Sequence, residues 1–272
     1  MELSHPTKRR KVSADRYLSN VVVEPRTMLK AKIRGEFNFT PRVLYIFAGV
    51  HRKSSIGSIL GKAGWEVIEL DIARDKRHDL SLKCIRDKVL DWVRSGKFQA
   101  VITSPPCDTF SRAKFSNLEG PRPTRNSTHP RGFKWLDWRL RHKNNLGNLL
   151  ADFSYEVCLE QIKHPSPGGM AIFEHPENLG TVQFGPFRGQ TPASIWQWNQ
   201  HAECVSLGMV SVGLRQSDFG TPYVKPTRLL LRVHTDLPRS FFPGMPEMSE
   251  DGSYAGPIPR SKGSFSLRKQ KG

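Results

Sequence analysis

The sequence predicts an α/β fold with a mostly parallel sheet flanked by helices. Residues 43–47 form a continuous apolar run that is typical of a buried strand, and residues 56–63 follow as a helix. Residues 65–70 repeat the strand pattern. A second helix is indicated by apolar residues at helical spacing, namely Leu82, Ile85, Val89, Trp92 and Val93. Strands that alternate with helices in this way form βαβ units, whose strands are parallel.

The alternation continues through the central region of the chain. Residues 99–103 and 170–173 predict two further strands, and residues 228–231 predict a late one. Thr191 and Pro192 predict the start of a helix, with threonine as the N-cap and proline at the first helical position. The helix between the two middle strands is marked by one apolar face, made of Leu146, Leu149, Leu150, Phe153 and Val157.

The composition indicates a soluble, intracellular protein with a polyanionic partner. The 272 residues include 42 Lys and Arg against 25 Asp and Glu, a formal net charge of +17, for which nucleic acid is the simplest partner. No stretch approaches about 18 apolar residues and no signal-peptide pattern opens the chain, which argues against a membrane protein. The four cysteines are far apart, so we expect neither a zinc site nor a disulfide framework.

Segments with little periodicity flank the predicted domain, which spans residues 41–235. Residues 1–40 are predicted to be a basic, disordered tail. They contain Lys8-Arg9-Arg10-Lys11, a run typical of a nuclear-import signal or a nucleic-acid tail, and equally of a solvated terminus. Residues 236–272 are rich in proline, glycine, serine and basic residues, so we expect a second poorly ordered tail there.

Two reactive side chains follow predicted strands. Cys107 comes after two prolines that stop one strand and stiffen the turn, and Glu174 ends the next strand along the chain. The carboxyl ends of parallel strands share one edge of the sheet, where open α/β proteins bind ligands. The thiol and the carboxylate can therefore meet at one site. Taken singly, each has a plainer interpretation, as a small buried residue and as an exposed strand-end acid.

The first two strands end in residues suited to a nucleotide-like cofactor. The first ends in Phe-Ala-Gly at 47–49, where Gly49 lets a ligand approach the backbone closely. The second ends near Asp71, where a carboxylate can bind ribose hydroxyls, although Glu69 competes for that role. Asp79 follows shortly and can accept from a purine amino group or cap a helix.

Taken in order, these motifs resemble those of the DNA and RNA cytosine-5 methyltransferase family. Phe47-Ala48-Gly49 resembles the first cofactor loop, and Ser104-Pro105-Pro106-Cys107 resembles the Pro-Cys nucleophile loop. Glu174-His175-Pro176 resembles the Glu-Asn-Pro motif, with histidine for asparagine. Residues 218–222, followed by Arg228 at the start of an apolar strand, resemble a later motif whose arginine contacts the base. The resemblance covers roughly residues 41–235. It implies a Rossmann-like S-adenosylmethionine-dependent methyltransferase fold. The roughly 40 residues that follow Arg228 are too few for the family's usual separate target-recognition domain, so we expect no sizeable one.

The resemblance also implies a role for each residue. Cys107 would attack C6 of a cytosine flipped out of DNA, Glu174 would hold and protonate the N3 side, and Arg228 would contact the base. C5 would then take the methyl group of S-adenosylmethionine. DNA is favoured over RNA as the substrate, and target recognition could fall to a basic loop, the tails or a partner protein. By the same analogy the cofactor site is lined by Phe47, Gly49, Asp71, Asp79 and Pro105.

Residues 121–143 interleave cations with aromatic rings, as a nucleic-acid surface requires. Cations bind phosphates and rings stack on bases. The plainer interpretation is a solvated basic rim around core tryptophans. The predicted nucleic-acid contacts are Arg112, Arg122, Arg125, Arg131, Lys134, Trp135, Trp138, Arg139 and Arg141.

Three other functions stay open at this point. A nucleic-acid-binding protein without catalysis is favoured by His51, which stands where the family has a second glycine. An amino-methyltransferase is suggested by Ser-Pro-Pro, but that chemistry needs an aromatic residue where Cys107 stands, and Glu174 also argues against it. Methylation of cytosine in RNA is the third.

Overall fold

The computed structural model describes residues 40–116, 118–163, 169–222, 225–234 and 241–243. The basic run at 8–11 and the rest of the predicted N-terminal tail up to residue 39 lie outside these residues, as does most of the predicted C-terminal tail. Within that second tail, Phe242–Pro243 forms a short edge strand.

A seven-stranded mixed sheet lies at the centre of the fold, in the order β2-β1-β3-β4-β6-β5-β7. β1 to β4 are joined by parallel pairs, whereas β6 runs antiparallel to both β4 and β5, and β7 antiparallel to β5. The predicted α/β class is therefore confirmed, and the arrangement is compatible with a Rossmann-like fold. The strands are β1 Arg42–Ile46, β2 Glu66–Leu70, β3 Ala100–Thr103, β4 Met170–Pro176, β5 Val210–Arg215, β6 Pro226–Arg232 and β7 Phe242–Pro243.

Helices cover both faces of the sheet. The helices of the described residues are α1 Ile56–Lys62, α2 Lys83–Arg94, α3 Trp138–Lys163 and α4 Asn199–Ser206. Side chains of α2, α3 and α4 pack into the larger core, while Leu60 of α1 packs against the smaller core on the opposite face. Residues 43–46 of β1 are apolar because both faces of the strand are buried. Leu44 and Ile46 enter the larger core, and Val43 and Tyr45 enter the smaller one.

The prediction of a helix beginning at Thr191 is wrong. The backbone carbonyl of Thr191 accepts from the amide of Ser127 at 2.8 Å, and its hydroxyl bonds that of Thr181 at 2.9 Å, so neither group caps a helix. A single 3-10 turn at Ile195–Gln197 follows instead, and α4 begins at Asn199. Strand β5 has no counterpart among the predicted strands, because its serine and glycine interrupt the apolar run.

The order of the strands fixes the place of a ligand site. The chain passes from β1 to β2 on one side and then crosses to β3 on the other side of β1, which makes the crevice between β1 and β3 a topological switch point. The carboxyl ends of β1 to β4 all open on that edge. Among the described helices, none combines the length and the apolar character needed to cross a lipid bilayer.

Candidate active site

The turn that carries Cys107 is fixed at both ends. Before it, the buried hydroxyls of Thr103 and Ser154 are 2.7 Å apart, and the amide of Ser104 donates to the carbonyl of Ile46 at 3.3 Å. After it, the carbonyl of Cys107 accepts from the amide of Phe110 at 3.0 Å and begins a 3-10 turn. The thiol is thus held at the carboxyl end of β3, with part of its surface open to solvent.

Glu174 faces this turn from the adjacent strand. It lies one residue beyond Phe173, which pairs with Thr103 in the parallel register of β3 and β4. Lys225, just before β6, has its Nζ 3.5 Å from the Glu174 Oε1. Burial raises the pKa of the Cys107 thiol, the nearby charge of Glu174 raises it further, and the charge of Lys225 opposes both. Cys107, Glu174 and Lys225 therefore form one electrostatic cluster, called the thiol cluster below.

Sequence reasoning missed two members of this edge. Lys225 lies three residues before the arginine that the motif singled out, and only the return of β6 beside β4 brings it to Glu174. Tyr45 lies within the apolar run of β1, one residue before its end, yet its hydroxyl bonds the side chain of Ser104. Burial raises the pKa of Tyr45, and Glu174 adds to that shift. A hydroxyl inside an otherwise apolar strand was the one signal that could have pointed to it.

Arg228 lies in the core rather than at this edge. Its side chain has no exposed surface. Nε donates to the Glu177 Oε1 at 2.9 Å, Nη2 lies 2.8 Å from the Glu177 Oε2, and Nη1 donates to the Ser211 hydroxyl at 2.9 Å. The sequence predicts that the Arg228 guanidinium contacts a base, but in the structure it pairs with the buried carboxylate of Glu177. The structure therefore does not place it at the open edge beside Cys107 and Glu174.

The loop after β1 is sharply bent and tied to β2. Phe47 has a φ of 62°, a left-handed conformation that is strained for a bulky residue, and Gly49 follows with a φ of 68°. The amide of Gly49 donates to the Asp71 Oδ2 at 2.8 Å, and the amide of Ala73 donates to Oδ1 at 2.7 Å. Asp71 therefore fixes the loop after β1 against the end of β2.

The other acids predicted for the cofactor site have partners of their own. Glu69, the competitor of Asp71, pairs with both terminal nitrogens of Arg74 at 2.5 and 3.0 Å. It also fills the space beside Gly57, where an added Cβ would stand 2.2 Å from its Oε1. Asp79 accepts from the amide of Ser81 at 2.9 Å and so holds the turn before α2. Pro105 is buried in the turn between β3 and Cys107.

Three of the arginines predicted to bind nucleic acid hold loops together. Arg112 donates to the carbonyls of Gly180 and Thr181. Arg131 pairs with Asp152 at 2.6 Å and lies 3.5 Å above the ring of Trp198. Arg125 is buried, lies 3.8 Å above the ring of Phe110 and donates to the Asn148 side chain at 2.7 Å. Burial lowers the pKa of Arg125 to about 10.

The remaining predicted contacts are exposed to solvent. Trp135 and Trp138 have 70% and 73% of their surface exposed, so the interpretation that these tryptophans belong to the core is wrong. Arg141 donates to the carbonyls of Lys134 and Leu136 at 3.0 and 3.1 Å, which steadies the loop before α3. The exposed cations among these remaining contacts are Arg122, Lys134, Arg139 and Arg141.

His175, which stands in the asparagine position of the resembled motif, is buried against the edge of Phe110. Burial lowers the pKa of His175 to about 3 and that of His201 to about 4. The folded-state values lie below the unfolded value of about 6.5, so the stability that each neutral ring contributes is complete above that pH and is lost as the pH falls. Acidification from pH 7 to 5 should lower the free energy of unfolding by about 2 kcal/mol for each ring.

Urea denaturation at both pH values measures this loss. His175→Asn should remove about 2 kcal/mol of the pH dependence, whereas His142→Asn, at an exposed position, should leave it unchanged. An unaltered pH dependence in the His175 variant would show that this ring is not neutral in the fold.

Neither a protein-family model nor a curated protein sequence matches this chain. Within the described residues, no group of three or more His, Cys, Asp or Glu side chains could hold a metal ion.

Proposed function

We propose that this chain is a methyltransferase that transfers the methyl group of S-adenosylmethionine to C5 of cytosine in DNA through a covalent bond from Cys107 to C6. The observation that carries the proposal is the juxtaposition of Cys107, in the turn after β3, and Glu174, in the last residues of the adjacent parallel strand β4, close enough for the two groups to interact electrostatically. A thiol and a carboxylate at one strand edge are what addition to a pyrimidine ring requires.

The chemistry follows from the positions of the two groups. The proton of the Cys107 thiol passes to Glu174, and Glu174 gives a proton to N3, which makes C6 electrophilic. The sulfur forms a bond to C6, and the electron pair of the C5–C6 double bond moves towards C5. C5 would take the methyl group with S-adenosylhomocysteine as the leaving group, C5 then loses its proton to solvent water, and N3 returns its proton to Glu174. The released electron pair restores the C5–C6 double bond and expels the sulfur. A base stacked in a duplex must first be extruded to reach Cys107.

The crevice between β1 and β3 is the cofactor site of this proposal. S-adenosylmethionine supplies an electrophilic methyl group when bound there. Asp71 can accept ribose hydroxyls because a carboxylate has more lone pairs than its two backbone donors use. The residues that follow Gly49 and Asp71 are Val50 and Ile72, which are 50% and 56% exposed, and such apolar surface suits an adenine ring.

Lys225 takes the role that the motif assigned to Arg228. Its ammonium is the cation beside Glu174, and it can meet the negative charge that develops on the base during addition. Lys225→Met should lower kcat/KM about 10- to 100-fold, the value of one hydrogen bond to a charged group. Lys225→Arg should recover most of the loss. The matched control is Lys97→Met. Lys97 is exposed and precedes β3, at the amino-terminal ends of the parallel strands, so its variant should keep full activity.

The test of the proposal is covalent trapping. An oligonucleotide carrying 5-fluorocytosine, incubated with the protein and S-adenosylmethionine, cannot release the enzyme because C5 has no proton to lose. We expect a denaturation-resistant adduct on DNA. An adduct on RNA alone would transfer the proposal to RNA cytosine, and no adduct on either polymer would refute the mechanism.

A nucleic-acid-binding protein without catalysis is the second candidate. It is favoured by the use of both Asp71 oxygens within the chain and by the burial of Arg228. Calorimetric titration with S-adenosylmethionine separates the two candidates, since only the enzyme needs to bind it. A nuclear location, suggested by the basic run at 8–11, would suit either candidate, and a partner protein could supply target recognition in both.

A further inference from the structure

The two most exposed tryptophans of the described residues lie close together, three positions apart. Trp135 is held rigidly: its ring stacks on Phe133 with centroids 4.7 Å apart and planes 9° from parallel, and the edge of His129 approaches it at 5.3 Å. Phe133 covers one face of the Trp135 indole in this stack. Trp135 and Trp138, called the indole pair below, both present aromatic surface to solvent.

The charge around the indole pair is positive. Arg139 lies 5.3 Å from the Trp138 ring, and Lys134 lies beside Trp135 in the chain. The one acid of residues 121–143, Asp137, accepts from the amides of Arg139 and Leu140 at 2.8 and 3.0 Å and so caps the start of α3. Its charge thus faces the positive end of a helix, which leaves the cations around the rings to attract phosphates.

A cavity of about 380 Å³ opens beside the indole pair, between the loop and the first turns of α3. Ligand pockets of this class begin at about 300 Å³, so a single nucleotide has room in it. The exposed cations Lys134 and Arg141 can bind its phosphate, and the exposed amide of Asn145 can bind the edge of its base, whereas the buried amide of Asn144 is bonded to Thr124. The lining residues are Arg131, Phe133, Lys134, Arg141, Asn144 and Asn145, among others.

Helix α3 connects the indole pair and the cavity to the turn that carries Cys107. Lys143 of α3 forms an ion pair at 2.5 Å with Asp108, the residue after Cys107. Trp138 begins the same helix, and Arg141 and Asn144 of that helix line the cavity. A strand that enters the site at Cys107 can therefore continue along one protein segment towards the indole pair.

We propose that the indole pair stacks on unpaired bases of the strand that carries the target cytosine, so that the chain acts on single-stranded rather than double-stranded nucleic acid. The target position of this site rests on the proposed function. In a duplex the faces of the bases are covered by their neighbours, and only unpaired bases can lie on protein rings. The cavity then holds one nucleotide of the same strand.

The test is the binding of fluorescein-labelled oligodeoxynucleotides of about 12 nucleotides, single-stranded or as a duplex, measured by fluorescence polarisation at one salt concentration. We expect the single strand to bind at least about tenfold more tightly. Trp135→Leu with Trp138→Leu should weaken single-strand binding about 5- to 150-fold for each base that loses its stack, and should leave the salt dependence unchanged because no cation is removed. Trp135→Phe with Trp138→Phe keeps both rings and should retain most of the affinity.

Equal affinity for the duplex and the single strand, or full affinity in the leucine pair, would overturn the proposal. Trp138→Leu alone gives the same answer if the pair fails to fold, because Trp138 is 73% exposed and contributes little to the core. Tight, ring-dependent binding of single strands without any 5-fluorocytosine adduct would refute the proposed methyl transfer and leave the stacking site standing. If the variant with leucine at positions 135 and 138 forms the adduct and binds the single strand as the wild type does, the stacking site is refuted and the proposed methyl transfer stands.

Discussion

Replacement of Cys107 by alanine should abolish the covalent adduct with 5-fluorocytosine DNA and lower methyl transfer by a factor on the order of 10⁶, the scale seen when an enzyme loses its nucleophile. The proposed reaction has no route to C5 without addition at C6, because the electron pair that attacks the methyl group comes from the C5–C6 double bond. Glu174 can polarise the ring but cannot replace the sulfur. Gel shift under denaturing conditions measures the adduct, and transfer of labelled methyl groups measures turnover.

Cys84→Ala is the matched control for this prediction. Cys84 is an exposed cysteine in the first turn of α2 and is not part of the thiol cluster, so its variant should form the adduct at the wild-type rate. Cys158 and Cys204 are buried in the larger core and make poor controls, because their loss would leave cavities. An adduct that survives in Cys107→Ala and disappears in Cys84→Ala would show that Cys84, and not Cys107, is the nucleophile.

The second large effect is on stability. Glu177→Gln should lower the free energy of unfolding by about 3–5 kcal/mol, because it leaves the fully buried guanidinium of Arg228 without its carboxylate. Burial raises the pKa of Glu177 even with Arg228 beside it, which shows how costly the desolvation of this pair is. Arg228→Met should cost less, since the remaining Glu177 can take up a proton, whereas an arginine cannot lose one.

Chemical denaturation of the single variants and of the double variant Glu177→Leu with Arg228→Met measures the pair. The double variant should regain most of the stability, because it leaves no buried charge. Glu66→Gln is the control: its ion pair with Arg42 is about half exposed, and the loss should stay below about 1 kcal/mol. If Glu177→Gln behaves like Glu66→Gln, the buried pair does not stabilise the fold.

Substitution of Arg228 changes the stability of the fold, so the activity of an Arg228 variant has two possible interpretations. An inactive Arg228 variant would not by itself place the guanidinium at a substrate, since unfolding would produce the same loss. Lys225 is exposed and lies beside Glu174, so its variants report on chemistry with little effect on the fold. The two cations therefore separate a structural role from a functional one.

The local pattern of apolar residues predicted much of the fold. The apolar runs that became β1 and β3 were visible in the sequence, because strands buried on both faces need apolar residues throughout. The reversal of β6 between β4 and β5 was not, since an apolar run has no direction. The start of α4 was misplaced because Thr191 and Pro192 match a capping pattern, while the actual partners of Thr191, the amide of Ser127 and the hydroxyl of Thr181, are distant in sequence.

The sequence by itself determined which chemistry is available and on which strand ends it lies: a thiol after β3, a carboxylate at β4 and an excess of positive charge. Tertiary structure decided which charged groups are free to act. Arg125 and Arg228 are buried, whereas Lys225 reaches the thiol cluster and Trp135 and Trp138 remain exposed. The physical reason is that burial and charge pairing depend on contacts between segments far apart in the chain, such as Arg228 with Glu177, and no local pattern encodes them.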